Sequence, residues 1–483
     1  MSLLLLPISS IGIIAQGDCT AYDADLATGY TLGTVNADLD ADLLAAIECA
    51  NADADADVIL VPDGAVVDFE TQALSDVTSI TPIIDHTLTI FSDGHAVIRS
   101  TGGAPGSLFR INVPAVLTMA NLTLSGGNTT GQGGAIDNFG TLTLINMRLT
   151  QNSADDGGGG LHNSTFASGL TIVNTLIVDN QTDAIGGGLY LERDATLINV
   201  TVANNQADGS DGVLGGGGGL YVDRDDTVVK LQNSIVIANL TTLSGTVGAN
   251  AFVDSGARID VTHSLYGTIV GDSSDDGGNI TGQTPNFVSP TGTVGARDYR
   301  LLQGSLGVDV GSRALLPTEQ DLNFDVNGDG SIATDPISID VARNERVQDD
   351  TDAGADDDNI EMGAFEGAVT PSVQVVAFDV SPDQVLQGET TATAQLDAAL
   401  PDTGLPPLDA PAQNNTGTLS IVYSQDATCD ADDEIVGQQA YDFTGDSAEV
   451  TVDVRIARAT LTAAALQADP ASQALPYASN DIA

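Results

Sequence analysis

A chain of 483 residues exceeds what one ordinary hydrophobic core accommodates, so it forms either two or three domains or a repeat architecture. Its 14 basic and 67 acidic residues leave a net charge of −53, which excludes a surface for nucleic acid or for anionic lipid headgroups. Hydrophobic residues make up 42% of the chain, which excludes an intrinsically disordered protein, whereas 53 glycines and 4% aromatic residues favour thin stacked layers.

The N-terminal region begins with residues 1–17, MSLLLLPISSIGIIAQG, which are apolar and resemble a signal peptide that lacks the basic region. Later segments fall short of about 20 consecutive apolar residues, so we expect no transmembrane segment. Cys19 and Cys49 form either a disulfide in an oxidising compartment or two buried thiols. The segment DLLAAIECA, from Asp42, has helical apolar spacing and leads into a strand, VILVP. We therefore predict an N-terminal helical cap within residues 18–64.

A repeat follows, in which each copy alternates apolar and polar residues up to an asparagine and changes its apolar phase there. The asparagines are Asn121, Asn146, Asn174, Asn199 and Asn233, spaced by 25, 28, 25 and 34 residues, and His263 takes this place in a sixth copy. Period-two alternation predicts a strand with one buried face, and the change of phase predicts a corner. Asparagine suits a corner because it tolerates left-handed backbone and bonds nearby backbone groups.

Each copy continues with a second asparagine, a loop of variable length and a run of glycines. The second asparagines are Asn152, Asn180, Asn205 and Asn239, and a third strand begins after the glycines at Ile136, Leu161, Leu189 and Leu220. One copy cannot bury its apolar residues, whereas stacked copies can by pairing in parallel. A β-sandwich is disfavoured because two-residue hairpin turns do not recur. We predict an all-β chain with a parallel β-helix over residues 18–367, its coils starting at about residue 65.

The repeat resembles those of bacterial polymorphic outer-membrane proteins, since GGAI or GGGL precedes elements such as NMRLTQNSA between about Phe109 and Tyr266. This resemblance implies a single-stranded, right-handed parallel β-helix. The motifs AI, AN and VILVPDG in the N-terminal region resemble the start of secreted β-helix proteins with a CSLREA-type motif. The later segments SLGVDVGS, DVNGDG, DVARNER and IEMGAFE occur in the order typical of choice-of-anchor Q proteins. Together they imply a protein that is secreted or displayed at the surface of a bacterium, and we expect a monomer.

The DVNGDG segment also predicts a calcium site. Asp325, Asn327 and Asp329 alternate before a glycine as they do at the start of an EF-hand loop. The twelfth position is Pro336 instead of glutamate, which excludes a complete EF-hand. Ca²⁺ is therefore expected in a looser site, and the alternative is an acidic surface turn. The ligands that we predict are Asp325, Asn327, Asp329, Ser331 and Asp335, with Asp321 as a substitute for Asp335.

Residues 370–483 lack glycine runs and alternate in longer strands, which predicts a small antiparallel β-sandwich. The segment YSQDATCDADD loosely resembles immunoglobulin-type CARDB-like modules. The abrupt end at SNDIA suggests that this domain is truncated.

Many parallel β-helix proteins cleave acidic polysaccharides, so the resemblance raises the question of a catalytic site. Two charged triplets supply the candidates. The triplets Glu192, Arg193, Asp194 and Asp223, Arg224, Asp225 follow equivalent strands and would stack in adjacent coils. They form either a catalytic site with carboxylates and a basic residue or an exposed ladder of charges that contributes little to stability. Fold alone carries no function. We favour a non-catalytic scaffold for adhesion or for binding glycans or other cell-surface ligands; the alternative is a polysaccharide lyase or glycoside hydrolase.

Overall fold

The computed structural model describes Cys19, residues 30–52, 56–70 and 79–366, and the backbone of strands between residues 372 and 480. Gaps in the described residues fall at 35, 104, 210–215, 242–249, 292–296, 303, 327–330, 333, 335, 338 and 343–359. The described residues form two compact units. The first contains those up to Pro285 and those from Leu306 to Glu366, and the second contains residues 286–305 and the strands after residue 372.

The first unit is a parallel β-helix, as the repeat predicts, and its coils build four parallel ladders. Ladder A precedes the first corner and contains Tyr30–Thr31, Asp57–Leu60, the first halves of Leu88–Arg99 and Val116–Ser125, Thr141–Ile145, Gly169–Val173, Ala195–Ile198, Val228–Gln232, Arg258–Thr262 and Ser273–Asp275. Ladder B follows that corner and contains Val66–Asp68, the second halves of the same two long strands, Arg148–Thr150, Leu176–Val178, Thr201–Ala203, Ile235–Ile237, Leu265–Tyr266 and Ile280–Thr281.

Two further ladders complete each coil. Ladder C contains Asn128–Thr129, Ser153–Ala154, Gln181–Thr182, Gln206–Ala207 and Leu240–Thr241. Ladder D contains Phe109–Ile111, Ile136–Asn138, Leu161–Asn163, Leu189–Leu191, Leu220–Val222, Ala251–Val253 and Ile269–Val270. Ladders A, B and D are the three predicted strands. Ladder C is an addition, which the sequence conceals because two residues are too few to show a period.

The first corner has the backbone that its asparagines predict. Asn121, Asn146, Asn174, Asn199, Asn233 and His263 all have φ between 45° and 57°. This left-handed conformation changes which alternate residues of the chain point into the core. As a result, Leu144, two residues before Asn146, and Met147, one residue after it, are both fully buried. The predicted change of phase is therefore confirmed.

The second corner is built differently, because the residue before the asparagine takes the left-handed conformation. These residues are Gln151, Asp179, Asn204 and Ala238, with φ between 53° and 59°. The asparagine side chains then turn inward and bond from coil to coil. Nδ2 of Asn152 donates to Oδ1 of Asn180 at 2.9 Å, and Asn180 donates in the same way to Asn205 at 3.0 Å. Backbone amides donate to the same oxygens, so these buried polar groups are satisfied.

The glycine runs let adjacent coils approach each other closely. A Cβ atom on Gly187 would collide with the carbonyl oxygens of Gln206 and Gly218 in the next coil. Gly186, one residue earlier, has φ of 65°, which most side chains disfavour. Close packing and backbone conformation together therefore require glycine here.

The predicted N-terminal helix spans Leu39–Ala50 and extends the core of the coils. Leu43 and Ile47 are fully buried in the hydrophobic cluster that continues through the ladders. Asp42, on the same helix, accepts a hydrogen bond from the hydroxyl of Tyr30 at 2.6 Å, which ties the first strand to the helix. Cys49 is joined to Cys19 in a disulfide with a Cα–Cα distance of 5.5 Å.

The described residues between 306 and 366, which we call the lateral segment, cover the first corner from the side, with a 3₁₀ helix at Arg313–Leu315 and a short helix at Glu319–Leu322. Their apolar residues pack against Ala120, Ile145 and Val173. The side chain of Asn233 donates from Nδ2 to the carbonyl of Ser312 at 2.9 Å and accepts from its amide at 2.8 Å. This segment thereby shields corner residues that would otherwise expose apolar surface.

The second unit is antiparallel, in agreement with the predicted β-sandwich. Among its described strands, one sheet contains Ser372–Ser381, Gly388–Ala399 and Ser447–Ile456. A second sheet contains Asn414–Tyr423, Glu434–Thr444, Ala464–Asp469 and Ala478–Asn480. Phe287–Ser289 and Asp298–Leu301 form a further antiparallel pair.

The asparagine ladder makes a stability prediction. Replacing Asn180 with alanine removes the acceptor of two donors on Asn152 and a donor to Asn205. Because these groups are buried, we expect the free energy of unfolding to fall by about 1–3 kcal/mol. Urea denaturation followed by circular dichroism measures this change. Gln181→Ala, at an exposed neighbour, should change it by less than about 0.5 kcal/mol, and equal losses in both variants would contradict the prediction.

The glycine runs make a second prediction. Gly187→Ala forces its new methyl group onto two carbonyl oxygens, so we expect a loss of about 1–3 kcal/mol or more in the same denaturation experiment. Gly131→Ala is the matched control, because the nearest atom to its Cβ is 3.7 Å away. The control should change stability by less than about 1 kcal/mol. A Gly187→Ala variant as stable as the control would show that the coils tolerate wider spacing.

Candidate functional site: a buried ion network and an exposed aromatic turn

The middle residues of the ladder D strands form a column on the outer side of the sheet, since neighbouring residues in a strand point to opposite faces. In register, Arg110 lies beside Asp137, Asp137 beside His162 and His162 beside Tyr190. The column continues through Tyr221 and Phe252. Chemically different side chains are therefore stacked one per coil.

Five charged residues, which we call the buried ion network, are linked along this column: Arg110, Asp137, His162, Glu192 and Arg224. Arg110 contacts Asp137 at 2.9 Å, and Asp137 contacts Nδ1 of His162 at 2.7 Å. Nε2 of His162 lies 3.2 Å from Glu192, which Arg224 contacts at 2.7 Å. Charge alternates in sign from coil to coil, and the side chain of His162 is only 1% exposed. Both imidazole nitrogens thus face carboxylates.

The protonation states follow from these contacts. Burial acts to lower the pKa of His162, but its hydrogen bonds to Asp137 and Glu192 outweigh burial and raise it. Burial acts to raise the pKa of Glu192, but hydrogen bonds from His162 and Arg224 lower it to about 2. The arrangement therefore favours an imidazolium held between two carboxylates.

Two buried tyrosines extend the column beyond His162. The hydroxyl of Tyr190 donates to Asp223 at 3.2 Å, and that of Tyr221 donates to Asp254 at 3.4 Å. Burial and the nearby carboxylates raise the pKa of both phenols. Both hydroxyls consequently stay protonated and act as hydrogen-bond donors.

The turns between ladders D and A carry an aromatic pair beside the network. The rings of Phe139 and Phe166 are stacked with centroids 6.5 Å apart and planes 18° apart. The guanidinium of Arg110 lies 4.4 Å from the centre of the Phe139 ring. Phe166 is 68% exposed, the largest exposed fraction among the large apolar side chains that the structure describes. Glu192 fixes this turn by accepting a hydrogen bond from the amide of Thr165 at 3.2 Å.

Of the six predicted catalytic candidates, the structure brings Glu192, Asp223 and Arg224 together. The amide of Arg224 donates to Asp223 at 2.6 Å, and its guanidinium binds Glu192.

The other three candidates lie in turns. Asp194 accepts a hydrogen bond from the amide of Val228 at 2.8 Å, and the carbonyl of Arg193 accepts one from Asn163. Asp225 lies beside Gly256. The hydrogen bonds of Asp194 and Arg193 involve backbone groups and stabilise the turns.

Sequence reasoning missed Arg110, Asp137 and His162. They were detectable, because each directly follows a residue that begins a ladder D strand. When the second residues of these strands are aligned, successive coils carry Arg110, Asp137, His162 and Tyr190 at the same position.

The predicted calcium ligands are only partly described. Asn327, Asp329 and Asp335 lie outside the described residues, whereas Asp325 and Ser331 lie within them. The carboxylate of Asp321 is engaged in a capping box, where it accepts hydrogen bonds from the amide and hydroxyl of Thr318 at 2.9 and 2.7 Å. Across the described ranges, no group of three or more histidine, cysteine, aspartate or glutamate residues is arranged to hold a metal. Calcium binding stays a prediction.

Comparisons of the chain with protein-family models, with curated proteins and with solved structures gave no match. The paired parallel strands of the structure show the β-helix directly, while the resemblances to particular families stay predictions. Within the part of the chain that the structure describes, no helix has the length and apolar character needed to cross a membrane.

The buried ion network makes a pH prediction. The pKa of His162 is raised above its ordinary 6.5 in the folded protein. Its contribution to the free energy of unfolding is therefore complete below pH 6.5 and is lost as pH rises through the higher folded pKa. The pKa of Glu192 is lowered from 4.5 to about 2, so its contribution is complete above pH 4.5 and is lost as pH falls toward 2. Urea denaturation at several pH values should find the network strongest between pH 4.5 and 6.5.

A His162→Gln variant isolates this effect. It removes a buried charge between two carboxylates, so we expect a loss of about 3–5 kcal/mol near pH 6. The loss should shrink as pH rises, because the wild-type imidazolium loses its proton. His86→Gln, at a bend outside the network, is the matched control for replacing an imidazole with an amide. A loss for His162→Gln that does not vary with pH would contradict the assigned charge.

Proposed function

We propose that this protein is a non-catalytic β-helix scaffold, secreted by or displayed on a bacterium, that binds glycans or other surface ligands. The main support is that the side chains at the centre of the buried ion network already use their hydrogen-bonding groups within the network. Both nitrogens of His162 contact carboxylates, and Glu192 accepts hydrogen bonds from His162, Arg224 and Thr165. A general acid or base must reach its substrate, whereas His162 is 1% exposed.

The alternative, a polysaccharide lyase or glycoside hydrolase, draws support from the exposed side chain of Arg224, which is 55% accessible and lies beside two carboxylates. Lyases of this shape often use arginine as the base. Here Nε and Nη2 of Arg224 both bind Glu192, at 2.9 and 2.7 Å, and this raises the pKa of the guanidinium. A base requires the opposite shift, so the geometry favours the scaffold.

Location outside the cytoplasm is supported by the Cys19–Cys49 disulfide, because disulfides persist in oxidising compartments. A net charge of −53 suits a hydrated surface that resists aggregation. The ordered C-terminal motifs make choice-of-anchor Q the family that we propose, with a CARDB-like module after it. Calcium at the Asp325 loop completes this proposal.

A polysaccharide panel tests the function. Purified protein is mixed with uronate and neutral polysaccharides, with and without calcium, while unsaturated products and reducing ends are measured. Retardation of the protein in polysaccharide-containing native gels reports binding. We expect retardation by at least one polysaccharide without product.

Product formation that Arg224→Ala or Glu192→Gln abolishes would instead establish the enzyme. Circular dichroism of both variants distinguishes loss of activity from loss of fold.

A further inference from the structure

We infer that the turn at residues 164–168 is the glycan-binding site of this scaffold and that it binds neutral pyranose polysaccharides through the Phe166 ring; this inference rests on the proposed function. The turn lies between the ladder D strand Leu161–Asn163 and the ladder A strand Gly169–Val173. It places a 68% exposed phenyl ring on the outer side of the β-helix. We call Phe166 and the Phe139 ring beneath it the aromatic platform.

The aromatic platform exposes most of the Phe166 ring to solvent and places a second, nearly parallel aromatic ring beside it. Phe139 is stacked on Phe166 and is itself covered by the guanidinium of Arg110. A pyranose ring presents a face of C–H groups, which the negative face of an aromatic ring attracts. Phe166 therefore has the shape and the exposure to stack against one sugar ring.

The turn is held before any ligand binds. The amide of Phe166 donates to the Ser164 hydroxyl at 3.3 Å, and the amide of Ala167 donates to the Ser164 carbonyl at 2.8 Å. The amide of Thr165 donates to Glu192, which the buried ion network fixes in place. A preorganised ring loses little conformational freedom on binding, which favours affinity. This gives the network a positioning role for the aromatic platform.

Polar groups suited to sugar hydroxyls lie in the same turn of the following coils. Arg193 and Asp194 are exposed in the next coil, and Arg224 is half exposed in the coil after it. Carboxylate and guanidinium groups accept from and donate to hydroxyls. A polysaccharide that follows the helix axis would meet them after Phe166, because successive coils are about 4.8 Å apart, comparable with one pyranose unit.

The charge around the platform favours a neutral ligand. Arg110 is paired with Asp137 and Arg224 with Glu192, so the nearest cations are already compensated. The net charge of −53 repels polyuronates.

A second copy of the chain is a poor occupant of the same surface. One phenyl ring with its exposed neighbours is far smaller than the roughly 800 Å² per partner of a stable protein interface. Two chains of charge −53 also repel each other.

Affinity electrophoresis and calorimetry with soluble neutral polysaccharides test the site. Phe166→Ala should weaken binding by about tenfold or more, equivalent to 1.4 kcal/mol. Phe166→Tyr keeps the ring and should bind like the wild type. Leu240→Ala is the matched control, because Leu240 is 56% exposed on ladder C, and it should bind unchanged. Circular dichroism confirms that each variant folds.

The outcomes separate this inference from the proposed function. If the wild type binds and Phe166→Ala binds equally well, the proposed site is wrong, while the scaffold function stands. Binding restricted to acidic polysaccharides overturns the neutral specificity. A wild-type dimer in light scattering that Phe166→Ala dissociates overturns the site in favour of contact between copies. A wild type that binds no polysaccharide overturns this inference together with the glycan-binding part of the proposed function.

Discussion

The register of the parallel ladders is the constraint on which the rest of this structure depends. Each residue lies beside its equivalent in the next coil, so whatever occupies a position is stacked on itself along the axis. Apolar residues stacked in this way form one continuous core from the N-terminal helix through the coils. Buried polar residues are tolerated because the same register places a donor beside an acceptor, as in the Asn152, Asn180, Asn205 series.

Charged residues use this register in a different way. Identical charges stacked in adjacent coils would repel, whereas the buried ion network alternates in sign through Arg110, Asp137 and His162. Burying charges is costly unless each is paired, and removing one partner leaves the others uncompensated. The partly exposed arginines at both ends complete the series. The network is therefore better understood as a set of mutually dependent contacts than as separate ion pairs.

The sequence revealed those features that follow from residue type. Asparagine at the first corner, glycine between coils and apolar spacing in the helix each have a local physical cause, and each was predictable. Ladder C was not, because two residues carry no period. The buried ion network depends on which coils are adjacent, and Arg224 reaches Glu192 from a backbone with φ of 79°. Contacts of this kind require the three-dimensional register as well as the residue pattern.

Sequence reasoning also missed the position of the lateral segment, the described residues between 306 and 366 that cover the first corner. Its motifs indicate order along the chain, but they carry no periodic signal for the surface that they cover. Ile337 and Ile360 are buried because Ile145 and Val173 face outward at the first corner. Those outward apolar residues are visible in the repeat, directly before the corner asparagines Asn146 and Asn174. An apolar residue on the solvent side of a solenoid strand is thus a signal that another segment covers it.

Variation in the repeat is concentrated where the ladders do not constrain the chain. Between ladders D and A the connecting segment is 139–140 in one coil, 164–168 in the next and 192–194 in the one after. These turns lie outside the paired strands, so they can lengthen and change residues without disturbing the core. Phe166 and Glu192 both lie in them, one exposed and the other buried beside His162. The constant ladders therefore supply the frame, and any recognition chemistry of this protein is best sought in its variable turns.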